Sequence, residues 1–441
     1  MPVNCRTTFT CDGQSCHRIY NFNFQLLIQM SKQQVRIAAI GLGNRTCKYL
    51  HYVKEHQDVA KLVAIVEPDK ARLSVIRELF QLPEAVCFND IESFFASEPQ
   101  LDACIIGTPD NLHFDLTHRA MDRGWNVLLE KPMAQTADEC RSIAKAAEEK
   151  GRLVSVCYVL RYHPYFIKMR ELSRRPEMGR VLSVSHTEHV GNDRTAHTYV
   201  RGPWNVAEMD TTVFLSKCCH DVDFVLWLIG NDVRTVRSYG KENHFTPENA
   251  PEGAAPRCLE CRHEKTCRYS AVDLYVRRKD WIKGFVPTAG ETHEDAVMRA
   301  LKESRYGRCV YACPTNDVLD HQVVELEMHS GIHAEIAMKC PTEEDNRVTR
   351  IEFENALLDG DEEMITVTYK DGREPESYDF TWSKGMAFHA DADLHIVADF
   401  IEKTLHEDVN VRTASSEAVV SHIVCFMAEE SRLSDGKLLN Y

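Results

Sequence analysis

The chain has 441 residues, of which 44% are hydrophobic and 27% charged, and its formal net charge is -15 at pH 7. This balance excludes wholesale disorder, and the length suffices for two or three domains. The excess of negative charge disfavours a nucleic-acid-binding surface, because phosphates are bound by clustered Lys and Arg. No run of about 18 apolar residues occurs, so the sequence predicts no membrane-spanning helix.

The first 34 residues precede the first strand signal. Their apolar patch, Phe24–Ile28, is too short for the hydrophobic region of a signal peptide, and no small-residue cleavage site follows it. We therefore treat residues 1–34 as a disordered leader or a start placed too early. Most of the 17 cysteines stand singly in apolar runs, as Cys104 and Cys157 do. Free thiols of this kind are typical of a reducing compartment, so we expect a cytoplasmic protein.

Residues 35–158 alternate between short apolar runs and segments with helical periodicity. Runs such as Val35–Ile40 and Ala103–Ile106 predict buried strands, whereas Lys70–Phe80 and Ala137–Lys150 predict helices. Strands and helices that alternate at this spacing favour a parallel, doubly wound sheet covered on both faces. The sequence therefore predicts an α/β protein with an N-terminal Rossmann-type domain over residues 35–158.

The first predicted strand runs directly into Gly41-Leu42-Gly43-Asn44-Arg45 and then a helical segment. The first glycine permits a tight turn, and the second lets backbone amides approach a pyrophosphate at the helix N-terminus. Thr46 occupies the third glycine position, which predicts looser packing of helix on strand. Glu67 ends the second strand, where a carboxylate holds the ribose diol of NAD. We expect a dinucleotide to bind here, with NAD preferred to NADP.

Two further predicted strands end in polar clusters. The segment 108–113 follows the strand Ala103–Ile106, and Glu130-Lys131-Pro132 follows the strand at Val127–Leu129. Ligands of such sheets bind outside the carboxyl ends of the strands, so both clusters are expected to face the cofactor. The predicted cofactor-binding residues are Gly41, Leu42, Gly43, Asn44, Arg45, Glu67, Thr108, Pro109, Asn111, His113, Glu130, Lys131 and Arg161.

The pattern changes after about residue 160. Residues 181–189 and 318–338 alternate apolar and polar positions. Val323–Met338 predicts a hairpin, and a second hairpin signal covers 365–382. These features predict a C-terminal α+β domain, residues 159–441, with a large, mainly antiparallel sheet. The polar stretch of about 242–313 predicts an irregular insertion. Because one face of such a sheet stays uncovered, we expect a homo-oligomer.

A short segment before the predicted helix that contains residues 216–228 gathers four side chains suited to a sugar. His197, Tyr199, Arg201 and Trp204 combine aromatic rings with hydrogen-bonding groups. Rings match the apolar faces of a sugar and polar groups match its hydroxyls. These four are the predicted substrate contacts; the alternative is a packed loop without a ligand.

The helix itself carries Lys217, His220 and Asp221, which share one face because they stand three and four positions apart. The rest of the segment is rich in apolar residues that would anchor it in a core. A helix of this kind directs several ionisable groups together toward a cavity or an interface. We therefore predict a catalytic cluster of Lys217, His220 and Asp221 with Lys131.

The insertion contains a cysteine pattern that differs from the single buried thiols elsewhere. Cys258 and Cys261 form a C-x₂-C pair, Cys267 follows six residues later, and either Cys309 or Cys313 supplies a fourth thiol. Such spacing is typical of a tetrahedral zinc site, which would hold a segment of low apolar content in shape. We predict structural zinc bound by Cys258, Cys261, Cys267 and Cys309; the alternative is a set of unliganded thiols.

The glycine turn, Thr108-Pro109 with His113, and Glu130-Lys131-Pro132 together resemble the Gfo/Idh/MocA family of sugar and cyclitol oxidoreductases. The resemblance implies that Lys131 lies beside the nicotinamide and the substrate hydroxyl. A second family signature matches at His220 and Asp223, but Ser216 replaces its first Asp and Cys218 its Gly. This departure leaves the usual Asp–Lys pairing unsupported in this chain.

The combined prediction is an NAD-dependent oxidoreductase that acts on a secondary hydroxyl of a sugar, glycoside or cyclitol. His220 has a suitable intrinsic pKa for the base, and Lys131 would stabilise charge on the substrate oxygen. Two alternatives stay open: a glycoside hydrolase that oxidises its substrate transiently with bound NAD, and a non-catalytic dinucleotide-binding regulator.

Overall fold

The computed structural model describes residues 34–202, 211–242, 244–281, 290–313, 318–386 and 389–441. The strands are β1 (Val35–Ile40), β2 (Ala60–Val66), β3 (Cys87–Phe88), β4 (Ala103–Ile106), β5 (Asn126–Leu129), β6 (Val154–Val156), β7 (Val181–Gly191), β8 (Val233–Lys241), β9 (His321–Met328), β10 (His333–Thr342), β11 (Arg347–Phe353), β12 (Ala356–Gly360), β13 (Met364–Tyr369), β14 (Glu376–Asp379) and β15 (Leu439–Asn440). The helices are α1 (Asn44–Glu55), α2 (Lys70–Phe80), α3 (Ile91–Ala96), α4 (His113–Asp122), α5 (Ala137–Lys150), α6 (Pro164–Ser173), α7 (Asn192–Arg194), α8 (Val213–Ile229), α9 (His293–Glu303), α10 (Ala392–Leu405) and α11 (Ser415–Leu433).

The first six strands form a parallel sheet in the order β3-β2-β1-β4-β5-β6. Its central strands are buried along nearly their whole length, which is why the sequence shows continuous apolar runs there. The order reverses between β1 and β4, so the loops after these two strands open a crevice at the switch point. The predicted Rossmann-type sheet is confirmed.

The remaining strands form a nine-stranded sheet in the order β14-β13-β12-β11-β7-β10-β9-β8-β15. Its neighbours pair antiparallel, except that β7 and β10 run parallel. Strand β9 alternates buried and less buried residues, as expected for a sheet covered on one face. The predicted large, mainly antiparallel sheet is confirmed, although the parallel central pair was not foreseen.

Helices from late in the chain connect the two sheets. Helix α11 packs on α5 and β6 of the parallel sheet and on α8 and β8 of the other. Helix α10 packs on α1, β1 and β5, and its Ile396 and Phe400 belong to the same apolar core as Ile37 and Ile65. The last 50 residues therefore complete the core of the first sheet, although they lie far beyond the predicted domain limit at 158.

The insertion is more regular than its sequence predicts. Helix α9 begins with a capping box in which Thr292 and Asp295 each accept a hydrogen bond from the other's backbone N–H. A small separate core consists of Cys258, Ala271, Leu274, Tyr275, Val297, Ala300 and Leu301. Across the described ranges, no helix is both long and apolar enough to cross a membrane.

Candidate active site

The glycine turn after β1 requires a glycine at its first position. Gly41 has a φ of +81°, and a Cβ there would lie 2.7 Å from the carbonyl oxygen of Gly107. Gly43 is the N-cap of α1 and provides no side chain to cap the helix. The first backbone N–H groups of α1 therefore face the crevice without a protein acceptor from the cap, which suits a bound anion.

Thr46 does not loosen the packing as its position in the glycine pattern suggests. Its side chain is completely buried, and a Cβ at Gly107 would lie 2.1 Å from its Oγ1. Gly107, directly after β4, thus provides the space that a third glycine on the helix would otherwise provide. The prediction of loose packing was wrong because the compensating glycine belongs to another strand.

Glu67 lies at the carboxyl end of β2, where the sequence places it. One carboxylate oxygen accepts from the backbone N–H of Leu42 at 2.8 Å and the other from that of Asp69 at 3.0 Å. The Arg72 guanidinium lies 3.3 Å away. The carboxylate, only 3% exposed, therefore ties the glycine turn to β2 and places a negative charge beside it.

The loops after β4 and β5 are joined by a buried histidine. The ring of His113 lies between the carbonyl oxygens of Pro132, 2.8 Å from Nδ1, and Thr108, 3.1 Å from Nε2. The Thr108 hydroxyl is buried next to Gly41 and has no hydrogen-bond partner among the described residues. Pro109 and Asn111 are exposed at the same edge. A polar ligand in the crevice would satisfy the Thr108 hydroxyl.

Glu130 and Arg45 brace this edge and do not project into the crevice. Glu130 accepts from Nε of Arg45 at 3.1 Å and from the hydroxyl of Tyr49. Burial alone would raise the pKa of Glu130, but the charges of Arg45 and Lys131 more than offset it, so the pKa is lowered. The same guanidinium donates to Asp393 of α10 at 2.6 Å. Asn44, by contrast, is exposed at the start of α1.

The Lys131 side chain links the loop after β5 to helix α8, which packs on the second sheet. Its Nζ donates to the backbone carbonyl of Ser216 in α8 at 2.5 Å, and the Lys131–Pro132 peptide is cis. The carbonyl takes the place of the missing Asp side chain, so the departure at Ser216 leaves the lysine anchored to the same helix. All of α8 is buried apart from Lys217, His220 and Ile229.

His220 lies one helical turn after Ser216 and packs edge-on against Tyr158, with ring centroids 5.5 Å apart. Its Nδ1 is buried and has no hydrogen-bond partner among the described residues. Burial and the neighbouring charge of Lys131 hold the pKa of His220 well below its usual value. The imidazole is therefore neutral at physiological pH and can accept a proton.

Lys217 and Asp221 belong to a buried network that the sequence did not predict. Lys217 contacts Glu188 at 2.7 Å, and Arg347 contacts both Glu188 at 2.9 Å and Asp221 at 2.7 Å. Asp221 also contacts Nε2 of His186 at 3.0 Å. Asp221 is fully buried, so its predicted catalytic role is corrected to that of a counter-ion for Arg347.

Arg161 does not reach the cofactor side either. Its guanidinium donates to both carboxylate oxygens of Asp223 at 2.8 Å and to the carbonyl of Arg412 at 2.8 Å. The side chain is 3% exposed. The family signature residue Asp223 thus binds Arg161 and fixes the chain after β6 against α8.

The predicted sugar-binding loop is packed into the insertion. Nδ1 of His197 forms a hydrogen bond of 2.8 Å with the hydroxyl of Tyr275, and the ring stacks on Tyr306. Tyr199 and Arg201 are buried. Trp204 lies outside the described residues. The prediction of an open recognition loop is corrected, because the insertion packs on His197 and Arg201 and the main core buries Tyr199. A single sequence gives no sign of that packing.

The four predicted zinc ligands, Cys258, Cys261, Cys267 and Cys309, line one small cavity. In the parts of the chain that the structure describes, no group of three or more His, Cys, Asp or Glu side chains is already arranged to hold a metal ion. The predicted coordination shell is therefore not preformed, although its thiols are gathered in one place.

A residue from the end of the chain holds the Lys131 loop. The backbone N–H of Met133 donates to Nε2 of His422 at 2.8 Å, and Nδ1 of that ring lies 2.8 Å from the carbonyl of Ala418. Both ring nitrogens are thus used in the neutral form, with Nδ1 as the donor. The sequence offered no signal for this role, because the two partners lie 289 positions apart.

We expect acid to destabilise the fold through His422. Burial lowers the pKa of His422 to about 4 in the folded chain, whereas an unfolded histidine titrates near 6.5. Protons then bind the unfolded chain first, so this stabilisation is present above pH 6.5 and is lost toward pH 4, by about 1.4 kcal/mol per pH unit. Urea unfolding at pH 7 and pH 5 measures it.

The matched variant is His422→Gln, whose amide can both donate and accept but does not titrate. Between pH 7 and pH 5 its free energy of unfolding should fall less than that of the parent, by the contribution of one bound proton. His329→Gln, at an exposed turn, should show the same pH dependence as the parent. An unchanged pH dependence in His422→Gln would contradict the assignment.

The six-stranded parallel sheet with its glycine turn, followed by a large mixed sheet, defines a Rossmann-type protein with a second α+β part. Residues 35–158 match the Gfo/Idh/MocA family model, described as an oxidoreductase family with an NAD-binding Rossmann fold. The resemblance drawn from the sequence is confirmed over these residues.

Curated relatives and solved structures agree with this result. The scyllo-inositol 2-dehydrogenase (NAD(+)) of Bacillus subtilis is 23% identical over 48% of this chain and 58% of the relative. The D-xylose 1-dehydrogenase (NADP(+)) 2 of Haloferax volcanii is 31% identical over 34% of this chain and 43% of the relative. The chain spans about half the length of the curated relatives that it matches. An oxidoreductase from Agrobacterium radiobacter, solved with NAD+, L-tartaric acid and magnesium, has the same fold, with a TM-score of 0.67, 14% identity and coverage of 92% of this chain and 98% of that one.

Proposed function

We propose that this protein is an NAD-dependent oxidoreductase acting on a secondary hydroxyl of a sugar, glycoside or cyclitol. The observation that carries the proposal is the meeting of Lys131 with α8 beside His220, at the edge where the glycine turn opens. Residues 35–158 would hold the cofactor and residues 159–441 would supply the substrate side. The names of the relatives, which include cyclitol and sugar dehydrogenases, support the substrate class.

The residues of the crevice fit a dinucleotide. The close approach at Gly41, the uncapped start of α1 and the unpartnered Thr108 hydroxyl form a cradle for a pyrophosphate. When bound, the nicotinamide supplies the acceptor for the hydride that leaves the substrate carbon. Thr108 and the first amides of α1 would orient the cofactor, and Glu67 would hold its ribose.

The chain's own groups handle the proton and the charge. A neutral His220 accepts the proton of the substrate hydroxyl at its imidazole nitrogen. The Lys131 ammonium, positioned by the Ser216 carbonyl, donates to the same oxygen and stabilises the negative charge that develops on it. In the reverse direction His220 returns the proton. Lys217, paired with Glu188, borders the site as a second cation.

The test begins with purified full-length protein, denatured to release and identify any bound dinucleotide. Intact protein is then incubated with NAD and a panel of cyclitols, sugars and aryl glycosides while NADH absorbance is followed. Stoichiometric NADH formation is the expected result. Aryl glycoside cleavage without net NADH would replace the proposal with the redox-assisted hydrolase, and binding without either reaction would indicate a regulator.

NAD is expected to bind at least about tenfold more tightly than NADP, because the Glu67 carboxylate repels a 2′-phosphate. Arg72, rather than Arg45 or Lys70, is the cation close enough to moderate this effect. Glu67→Gln keeps an acceptor for the Leu42 amide but removes the charge. The ratio of the dissociation constants for NADP and NAD should therefore decrease in this variant. Fluorescence titration with both cofactors measures it. Glu78→Gln on α2 is the control, and tighter NADP binding by the parent would refute the role of Glu67.

The homo-oligomer expected from the sequence stays a proposal. The nine-stranded sheet has one face packed against α8 and α11, and Leu182, Tyr239 and Val348 are exposed large apolar residues on its strands. This uncovered face is our candidate for the contact. The fourteen cysteines of the described ranges are all free thiols, which is compatible with the reducing compartment that the sequence predicts.

A further inference from the structure

A cavity within the insertion is lined by thiols from two separate stretches of chain. Cys258, Cys261 and Cys267 come from the first stretch and Cys309 from the second. Cys313, which the sequence left as an equal candidate, does not line this cavity, and its thiol donates to the carbonyl of Cys309 at 3.4 Å. The structure thus selects four thiols out of five.

The backbone places these thiols in the way that metal-binding knuckles do. Cys258 begins a single 3-10 turn, and the N–H of Cys261 donates back to the carbonyl of Cys258 at 3.3 Å. An antiparallel bridge pairs Arg257 with Arg308, and the N–H of Cys309 donates to the carbonyl of Pro256 at 2.8 Å. The bridge places Cys258 and Cys309 diagonally across the two stretches, on the same face of the pair.

A buried positive charge lies directly beside the thiols. Arg201 is 1% exposed and lines the same cavity. Its hydrogen bonds go to the carbonyls of Arg308 and Tyr269 and, at 3.6 Å, to the thiol of Cys258. None of its contacts in the described ranges involves a carboxylate, and its Nη1 is buried without an acceptor. A buried cation requires compensating negative charge nearby, and thiolates would provide it.

Part of the insertion packs in the main core, through Phe245, Tyr269 and Val310, and part has a small core of its own. Among the described residues, this small core contains seven buried members, and Cys258 is one of them. Cores of this size seldom stabilise a fold without a disulfide or a metal ion. The thiols here are free, so a bound metal ion would supply the missing cross-link.

We propose that Cys258, Cys261, Cys267 and Cys309 bind one zinc ion in a closed, purely structural site. Zinc displaces four thiol protons to solvent, forms four zinc–sulfur bonds and changes no oxidation state. The resulting cluster carries a formal charge of two minus, which the Arg201 guanidinium halves. Because the coordination shell is not preformed, the thiols must turn about their Cα–Cβ bonds into the cavity that they line.

The primary test is metal analysis of full-length protein purified without chelator or added metal. About one zinc per chain is expected. Cys261→Ser should reduce this to near zero, whereas the matched control Cys313→Ser should retain it. A metal-free parent that also takes up no zinc under reducing conditions would overturn the proposal. So would a Cys261→Ser variant with full zinc content, or a disulfide between any two of the four cysteines.

A second measurement covers the case in which Cys261→Ser does not fold. Chelator-treated parent protein is titrated with Co²⁺, which should give the charge-transfer and ligand-field absorption of a tetrahedral thiolate site, displaced by one equivalent of Zn²⁺. Absorption typical of octahedral oxygen ligands would contradict the assignment. If the site is closed and structural, removing the metal should leave NAD binding intact and accelerate proteolysis within residues 242–313. Failure of the zinc proposal is therefore distinguishable from failure of the proposed dehydrogenase activity.

Discussion

Replacing Lys131 by Ala is expected to lower kcat by about 10²–10³-fold, because the ammonium that stabilises the developing oxyanion is lost. The affinity for NAD should change little, since the glycine turn and Glu67 are untouched. Steady-state kinetics and a cofactor titration separate the two effects. Lys131→Met, which retains the length of the side chain, should behave like Lys131→Ala if charge is what matters.

The same substitution should shift the pH profile. Lys131 is one of the causes that hold the pKa of His220 low, after burial. Removing its positive charge makes protonation of His220 easier, so the acid limb of kcat should move to higher pH. The exposed Lys145 of α5 provides a control, and Lys145→Ala should alter neither kcat nor the limb. An unchanged profile in Lys131→Met would place His220 outside the reaction.

Replacing His220 by Ala is expected to reduce turnover by about 10²–10⁴-fold, the range for losing a general base. The cofactor cradle lies on the other sheet, so NAD binding should be retained. In the double variant with Lys131→Ala, the loss should be smaller than the product of the two single losses, because both groups act on one oxygen. Rapid-quench or steady-state rates at saturating substrate measure all three.

Lys217, the other ionisable residue of α8 that is not fully buried, provides a comparison for His220. Lys217→Met removes a charge from the same border but leaves the imidazole, so its effect should fall mainly on substrate KM. If His220→Ala is fully active, the assignment of the base is refuted and Lys217 is the next group to test. Melting temperature is followed throughout, since His220 packs on Tyr158.

Much of the parallel sheet was predictable because its signals are local. The apolar run Val35–Ile40 and the capped helix Ala137–Lys150 coincide with β1 and α5 residue for residue. The meaning of Thr46 was not predictable, because its fit depends on Gly107 in another strand. Local patterns describe elements well but contain nothing about which distant residue fills the neighbouring space.

The site was predicted in part, and the errors share one cause. The positions of Lys131 and His220 on their elements followed from strand ends and helix periodicity. Arg161, Arg201 and Asp221 were expected to face ligands because of their positions after a strand, in a short loop and on a helix face, respectively. Each is buried beside a partner remote in sequence, such as Asp223 for Arg161. Tertiary pairing of this kind leaves no trace in a single sequence.

The packing of α10 on the first sheet has a consequence for synthesis on the ribosome. The face of β1 that Ile396 and Phe400 cover is apolar, and Arg45 finds its Asp393 partner in the same helix. During translation the parallel sheet emerges hundreds of residues before that cover. The nascent chain must therefore carry an open apolar face until α10 leaves the exit tunnel. Chaperone binding during synthesis should fall only at that point.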